Sequence, residues 1–212
     1  MQPEFVPRRR EADLFGNTPD NKPSGEIAAE IEAAANRGWK IFPILTRSRH
    51  ASHADAWIVQ ATSDPEQLLR WAAEHANCNW AVATGEDSGV LVLEMDRVLS
   101  QRVYHELMKN DPGEGDQIEG DRMQQTLTVM AGMGEAAARY SFFRWPRYRR
   151  MRRLRLSFTP GVRLHGEEDY VLIPPSTRTN GERYVYVDPE ADPLPAPSWL
   201  LSMAFEPEDG DG

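Results

Sequence analysis

The chain is best understood from the segment Gly85-Glu86-Asp87-Ser88-Gly89-Val90-Leu91-Val92-Leu93-Glu94-Met95-Asp96. A turn bounded by two glycines leads into an apolar run, which is typical of a buried β-strand. Because side chains alternate along a strand, Glu94 and Asp96 are predicted to lie on the same face. Two carboxylates at the end of a core strand are costly unless they reach solvent, hold a metal or pair with a cation.

These paired acids have two interpretations. Carboxylate oxygens suit Mg²⁺ or Mn²⁺, and such ions complete their coordination with substrate phosphates. Alternatively, the acids mark the point at which the strand emerges into water. On the residues alone, Glu94 and Asp96 are therefore candidate metal ligands, and both interpretations stay open.

The composition limits the class of protein. With 212 residues, 40% of them hydrophobic, the chain is long enough for one substantial domain or two small ones. Cys78 is the only cysteine, which excludes an internal disulfide and a cysteine zinc site. No apolar stretch has transmembrane length and no signal-peptide pattern is present, so we expect a cytoplasmic protein without a membrane partner.

A net charge of -9 argues against adhesion of the whole surface to nucleic acid, but one segment is strongly basic. In residues 144–155, arginines alternate with aromatic and apolar side chains. This pattern predicts contact with nucleic-acid phosphates, with Trp145 or Tyr148 stacking on bases. A solvated face, or an arm that neutralises the acidic residues 111–121, is the alternative. The arginines predicted to bind nucleic acid are Arg144, Arg147, Arg149, Arg150, Arg152 and Arg153.

The predicted elements favour an α+β domain resembling an α/β sandwich, with a mixed, largely antiparallel sheet and flanking helices. One helix is predicted between Ser24 and Gly38, a second from Pro65, and a third over 98–109. Strands are predicted over 39–45, 79–84, 89–95, 124–131, 139–144, 154–158, 169–173 and 183–187, the second and third paired as a hairpin. No dinucleotide-binding or P-loop motif occurs.

Three regions are predicted along the chain. Residues 1–23 are rich in proline, arginine and aspartate and are expected to form a flexible N-terminal arm. Residues 24–201 contain the periodic segments and are expected to form the folded domain. Residues 202–212 are expected to be an acidic C-terminal tail.

Several segments occur in an order that resembles a known family. They are Gly38-Trp39-Lys40-Ile41-Phe42-Pro43, Ala61-Thr62-Ser63-Asp64, Asn79-Trp80-Ala81-Val82-Ala83-Thr84-Gly85, Ser88 to Asp96, and Tyr170-Val171-Leu172-Ile173-Pro174-Pro175-Ser176. This order resembles the bifunctional DNA primase/polymerase (prim–pol) domain of the archaeo-eukaryotic primase superfamily, which occurs in plasmid and phage replication proteins. The resemblance covers residues 25–201 and implies a catalytic module built around an RRM-like primase core.

The resemblance also implies a chemistry. Such domains use acidic residues to hold two divalent ions, Mg²⁺ or Mn²⁺, which promote nucleotidyl transfer. Glu94 and Asp96 fall on the first acidic pair of the family, so they are the implied catalytic and metal-binding residues. The implied ligands are DNA and nucleoside triphosphates, and a replicative helicase or another replication protein is an expected partner.

Two positions depart from the family pattern. Tyr140 stands where the family has a histidine that contacts nucleotide phosphates, and a tyrosine donates a hydrogen bond but does not become cationic. Arg163 occupies the place of the third acid. An arginine cannot ligate a metal, and we expect it to pair with Glu94 or Asp96 and neutralise them.

The remaining candidates are weaker. Asp169 or Glu168 is a candidate replacement for the third acid. Ser176 is either a turn residue or a nucleotide contact, and His165 is either a loop histidine or a phosphate contact. The predicted nucleotide-binding residues are Arg139, Tyr140, His165 and Ser176.

Three functions remain open from the sequence. The first is a prim–pol-like replication domain in which catalysis is impaired by the changes at Tyr140 and Arg163. The second is an active, metal-dependent primase/polymerase. The third is a non-catalytic module that binds nucleic acid or a protein partner.

Overall fold

Two β-sheets form the framework of the computed structural model, which describes residues 25–45, 58–75, 78–96, 125–132, 137–146, 157–159 and 161–204. The helices are α1 (Gly25–Asn36), α2 (Pro65–Glu74) and α3 (Ser198–Ala204). The strands are β1 (Ile41–Leu45), β2 (Cys78–Thr84), β3 (Val90–Asp96), β4 (Thr128–Ala131), β5 (Ala138–Arg144), β6 (Ser157–Thr159), β7 (Val162–His165), β8 (Asp169–Ile173), β9 (Tyr184–Tyr186) and β10 (Leu194–Pro195).

The sheets confirm the predicted α+β class with mostly antiparallel pairing. The smaller sheet has the order β1-β2-β8, and the larger has the order β6-β7-β3-β5-β4-β9. The short strand β10 adds to β5 in parallel. Pro43 lies in β1 at the edge of the smaller sheet, as its missing N–H group predicts.

Local signals explain both early helices. Gly38 follows α1 with a φ of 80°, a left-handed conformation that glycine adopts without a steric penalty. The carboxylate of Asp64 accepts a hydrogen bond of 3.0 Å from the backbone N–H of Glu66, and Pro65 opens α2. These capping predictions are confirmed for α2, and the predicted end of α1 is confirmed as well.

The predicted hairpin of β2 and β3 is wrong. Gly85 and Val90 form a single bridge at the turn, after which the two strands enter different sheets. β2 pairs with β1 and β8, whereas β3 pairs with β5 and β7. The apolar residues of β3 are buried on both faces of the larger sheet. Pairing of β3 with β5 and β7 is therefore more favourable than a longer hairpin with β2.

Two clusters of buried side chains hold these layers together. In the first, Trp39 stacks on Phe142 with ring centroids 5.1 Å apart, which joins the end of α1 to the larger sheet. In the second, α3 packs Trp199 and Leu200 against the opposite face of that sheet, where Leu91 and Phe143 lie. β3 is therefore covered on both faces of the larger sheet, and its last residues, Glu94 to Asp96, lie at one edge of the covered region.

Several predictions lie outside the described residues. They concern the N-terminal arm, the helix over 98–109, most of the acidic C-terminal tail and the basic segment from Arg147 onward. The strand β7 was not predicted, although Val162-Arg163-Leu164-His165 alternates apolar and polar side chains. Within the described residues, no helix is both long enough and apolar enough to cross a membrane.

Ser176 is expected to be important for stability. Its hydroxyl accepts from the backbone N–H of Trp80 at 2.8 Å and donates to the carbonyl of Trp80 at 3.0 Å, in a buried environment. Ser176→Ala would leave both backbone groups without these partners, at a cost of about 2 kcal/mol in the free energy of unfolding. Urea denaturation checks this value. Ser202→Ala, in which an exposed hydroxyl of α3 is removed, is the matched control and should change stability by less than about 0.5 kcal/mol.

Candidate functional site

The site is assembled by the register of three adjacent strands. Glu94 in β3 lies opposite Tyr140 in β5 and opposite Arg163 in β7. His165 is two residues beyond Arg163, so strand alternation places both on the same face. Asp169 opens β8 after the short turn that follows β7. Residues far apart in sequence therefore converge at the end of β3.

Hydrogen bonds connect these side chains in one chain of contacts. The Tyr140 hydroxyl donates to Oε1 of Glu94 at 2.9 Å, and Oε2 of Glu94 lies 2.8 Å from Nε2 of His165. Nδ1 of His165 lies 3.0 Å from Oδ2 of Asp169, which also accepts from Nη2 of Arg163 at 2.9 Å. We call these five residues the Glu94 network.

His165 is the centre of the Glu94 network. Its side chain is 5% exposed, and each ring nitrogen faces a carboxylate oxygen. A neutral imidazole has one donor and one acceptor, so only the doubly protonated ring donates to both carboxylates. Burial alone would lower the pKa of His165, but the hydrogen bonds and charges of Asp169 and Glu94 outweigh it and raise the pKa above its usual 6.5.

The pKa values of Glu94 and Asp169 are shifted in the opposite direction to that of His165. Burial would raise the pKa of Glu94, but hydrogen bonds from His165 and Tyr140 and the charge of Arg163 hold it below its ordinary value. For Asp169, burial is likewise outweighed, chiefly by His165, so its pKa is also lowered. The network is therefore two carboxylates balanced by an imidazolium and a guanidinium.

A pH dependence of stability follows from these directions. His165 has a raised pKa in the folded state, so its contribution is fully present below about pH 6.5 and is lost as the pH rises through the folded pKa. Glu94 and Asp169 have lowered pKa values and stay ionised in that window. The stability difference between wild type and His165→Gln should be larger near about pH 6 than near about pH 9, as measured by denaturation across this range. Equal stability differences at the two pH values would contradict a raised pKa of His165.

These contacts do not suit the implied metal ions. Each oxygen of Glu94 already accepts or faces one donor, from Tyr140 and from His165, so a divalent ion would have to compete with both groups for this carboxylate. Arg163, in the place of the third acid, adds a permanent positive charge beside Glu94. Over the residues that the structure describes, no group of three His, Cys, Asp or Glu side chains is arranged to hold a metal.

The expected pairing of Arg163 is correct only in part, because its charge lowers the pKa of Glu94 on the neighbouring strand but its hydrogen bond goes elsewhere. Arg163 was expected to pair with Glu94 or Asp96, but its hydrogen bond is to Asp169, and His165 is the residue that bonds Glu94. The interpretation of His165 as a loop residue was wrong, because it ends strand β7 and is buried. Both corrections have the same cause, since β7 was not predicted.

The other predicted residues are distributed more widely. Asp96 is exposed at the end of β3, where its N–H donates to Gly161 at 2.8 Å. Arg139 contacts Ser141 and Thr128 on the face of β5 opposite Tyr140. The Ser176 hydroxyl is hydrogen-bonded to the backbone of Trp80, and its nucleotide contact stays a prediction.

Arg144 is the only residue of the predicted nucleic-acid-binding set that the structure describes. Its side chain is exposed, and its Nε donates to the carbonyl of Pro193 at 2.8 Å. This contact fixes the start of the basic segment beside β10. Binding of nucleic acid by the segment stays a prediction.

The comparison with protein families identifies the class. A family model described as bifunctional DNA primase/polymerase, N-terminal, matches residues 31–199. No curated protein matches the chain. The fold and this match define a primase/polymerase-like replication domain, of a kind that acts on DNA and nucleotides. The chain belongs to the bifunctional DNA primase/polymerase N-terminal family, as the resemblance implied.

Proposed function

We propose that this chain is a replication domain of the plasmid or phage type whose nucleotidyl-transfer chemistry is impaired and which binds DNA or nucleoside triphosphates without incorporating them. The observation that carries the proposal is the engagement of both Glu94 oxygens by Tyr140 and His165. Nucleotidyl transfer in this class needs acidic oxygens free to hold divalent ions. The Glu94 network directs those oxygens to protein donors instead.

The proposal includes a cellular setting. The domain would act in the cytoplasm together with a replicative helicase or another replication protein. The basic segment, residues 144–155, would contact the phosphates of a DNA strand, and its exposed first member Arg144 is consistent with that role. Mg²⁺ or Mn²⁺ would be required only if catalysis survives.

Primer-extension and primer-synthesis assays with Mg²⁺ or Mn²⁺ test the proposal. We expect wild-type protein, shown to be folded by circular dichroism, to incorporate no more nucleotide than the Glu94→Ala/Asp96→Ala variant. Metal-dependent incorporation by the wild type that is lost in this variant would instead establish an active enzyme. That outcome would mean that metal ions displace the donors from Glu94 when substrates bind.

A further inference from the structure

Arg163 is the one member of the Glu94 network with a largely exposed charge. Its side chain is 54% exposed, whereas those of Asp169 and His165 are 15% and 5% exposed. A guanidinium has five N–H donors, and the hydrogen bond described for Arg163 uses only Nη2, which donates to Asp169. The bond to Asp169 restrains the guanidinium, and more than half of the side chain stays accessible to solvent.

The charges around Arg163 are balanced within the protein. Glu94 and Asp169 are each hydrogen-bonded to His165, so Arg163 is not required to neutralise both carboxylates alone. A guanidinium held by one carboxylate is well suited to a second, bidentate contact with a phosphate. In a metal-dependent site, a divalent ion would connect the carboxylates to the phosphate, but here it would compete with Tyr140 and His165 for the Glu94 oxygens.

We propose that this site binds a phosphate group directly through the exposed N–H donors of Arg163, without a divalent metal ion. The ligand class is a phosphate of a nucleotide or of a nucleic-acid backbone. The inference rests on the proposed function, since it concerns the same site. The inference adds that the phosphate is bound by an arginine and not through a metal ion, which loss of catalysis alone would not specify.

A substitution at Asp96 distinguishes direct phosphate binding by Arg163 from metal-bridged binding, because the two modes predict opposite changes in affinity. Asp96 is exposed on β3 two residues beyond Glu94, on the face that also bears Arg163. If phosphate binds directly to Arg163, Asp96 repels it, and Asp96→Asn should tighten binding. If a metal bridges the carboxylates and the phosphate, the same substitution removes a ligand and should weaken binding.

The experiment measures binding of tripolyphosphate, a deoxynucleoside triphosphate and a short oligothymidylate in the presence of EDTA. We expect at least one of these probes to bind wild type. Arg163→Gln should weaken that binding about tenfold or more, and Arg163→Lys, which keeps the charge but not the fork, should weaken it less. Arg70→Gln is the matched control, because it removes one exposed positive charge on α2 and should leave affinity unchanged.

The probes and variants give distinct outcomes. Binding of all three probes identifies phosphate itself as the ligand, whereas binding of only the oligothymidylate identifies a nucleic-acid strand. Binding that requires added Mg²⁺, equal affinity of Arg163→Gln and wild type, weaker binding by Asp96→Asn, or no binding of any probe would each overturn the inference. Nucleotide incorporation with Mg²⁺ or Mn²⁺ tests the proposed function, whereas binding in EDTA and its dependence on Arg163 test the inference, so the two failures are distinguishable.

Discussion

Replacing His165 by alanine is expected to lower the free energy of unfolding by about 3 kcal/mol. The imidazolium is buried between Glu94 and Asp169 and donates a hydrogen bond to each. Its removal leaves two partly buried carboxylates close together with no cation between them. Guanidinium chloride denaturation near about pH 6 measures the loss, since the His165 contribution is fully present there.

A variant that also removes the carboxylate charges is the control for this prediction. Glu94→Gln/Asp169→Asn in the His165→Ala background should recover part of the lost stability, because the remaining groups no longer repel each other. A loss below about 1 kcal/mol for His165→Ala would show that the Glu94 network does not hold this end of the larger sheet together.

Trp39→Ala is expected to cost about 3–5 kcal/mol in the free energy of unfolding. Trp39 is 1% exposed and stacks on Phe142 at 5.1 Å, so the truncation creates a cavity between α1 and the larger sheet. Arg37 lies 5.8 Å from the same ring and would lose that contact as well. Thermal and urea denaturation measure the effect.

Val187→Ala is the control for the core substitution. Val187 is 64% exposed, so its truncation removes little buried surface and should change stability by less than about 0.5 kcal/mol. If Trp39→Ala cost no more than Val187→Ala, the aromatic stack would not be the link between the helix layer and the sheet.

The sequence predicted the fold where local patterns are strong. Asp64 and Pro65 specify the start of α2, and the apolar run from Val90 specifies β3. The hairpin prediction failed because a glycine-bounded turn specifies only the reversal of the chain. Which strands pair beyond it depends on distant partners in both sheets.

The candidate site was predicted residue by residue but not as an assembly. Glu94 was identified from the end of a predicted strand, Tyr140 and Arg163 from the family resemblance, and His165 from its place near Arg163. Their contacts depend on the register of β3 with β5 and β7, and no local signal determines a register between distant strands. For this reason the hydrogen-bond partner of Arg163 was misassigned, and the position of His165 between Glu94 and Asp169 was missed.

The Glu94 network has a consequence for the family comparison. The chain belongs to the bifunctional DNA primase/polymerase N-terminal family. The resemblance implies that Tyr140 and Arg163 stand where the family has a phosphate-contacting histidine and a metal-binding acid. Tyr140 is hydrogen-bonded to Glu94 and Arg163 to Asp169, and His165 lies between these two carboxylates. This set of contacts is the arrangement on which the proposed function rests.

A ¹H–¹⁵N spectrum of the histidine side chains near neutral pH tests the central claim most directly. We expect His165 to carry a proton on both ring nitrogens, with slowly exchanging signals that substoichiometric Mn²⁺ does not broaden. Glu94→Gln, which removes one carboxylate from the ring, should lower the pKa of His165 and serves to assign its signals. A neutral ring in the wild type, or selective loss of the His165 signals on addition of Mn²⁺, would contradict a site closed by its own charges.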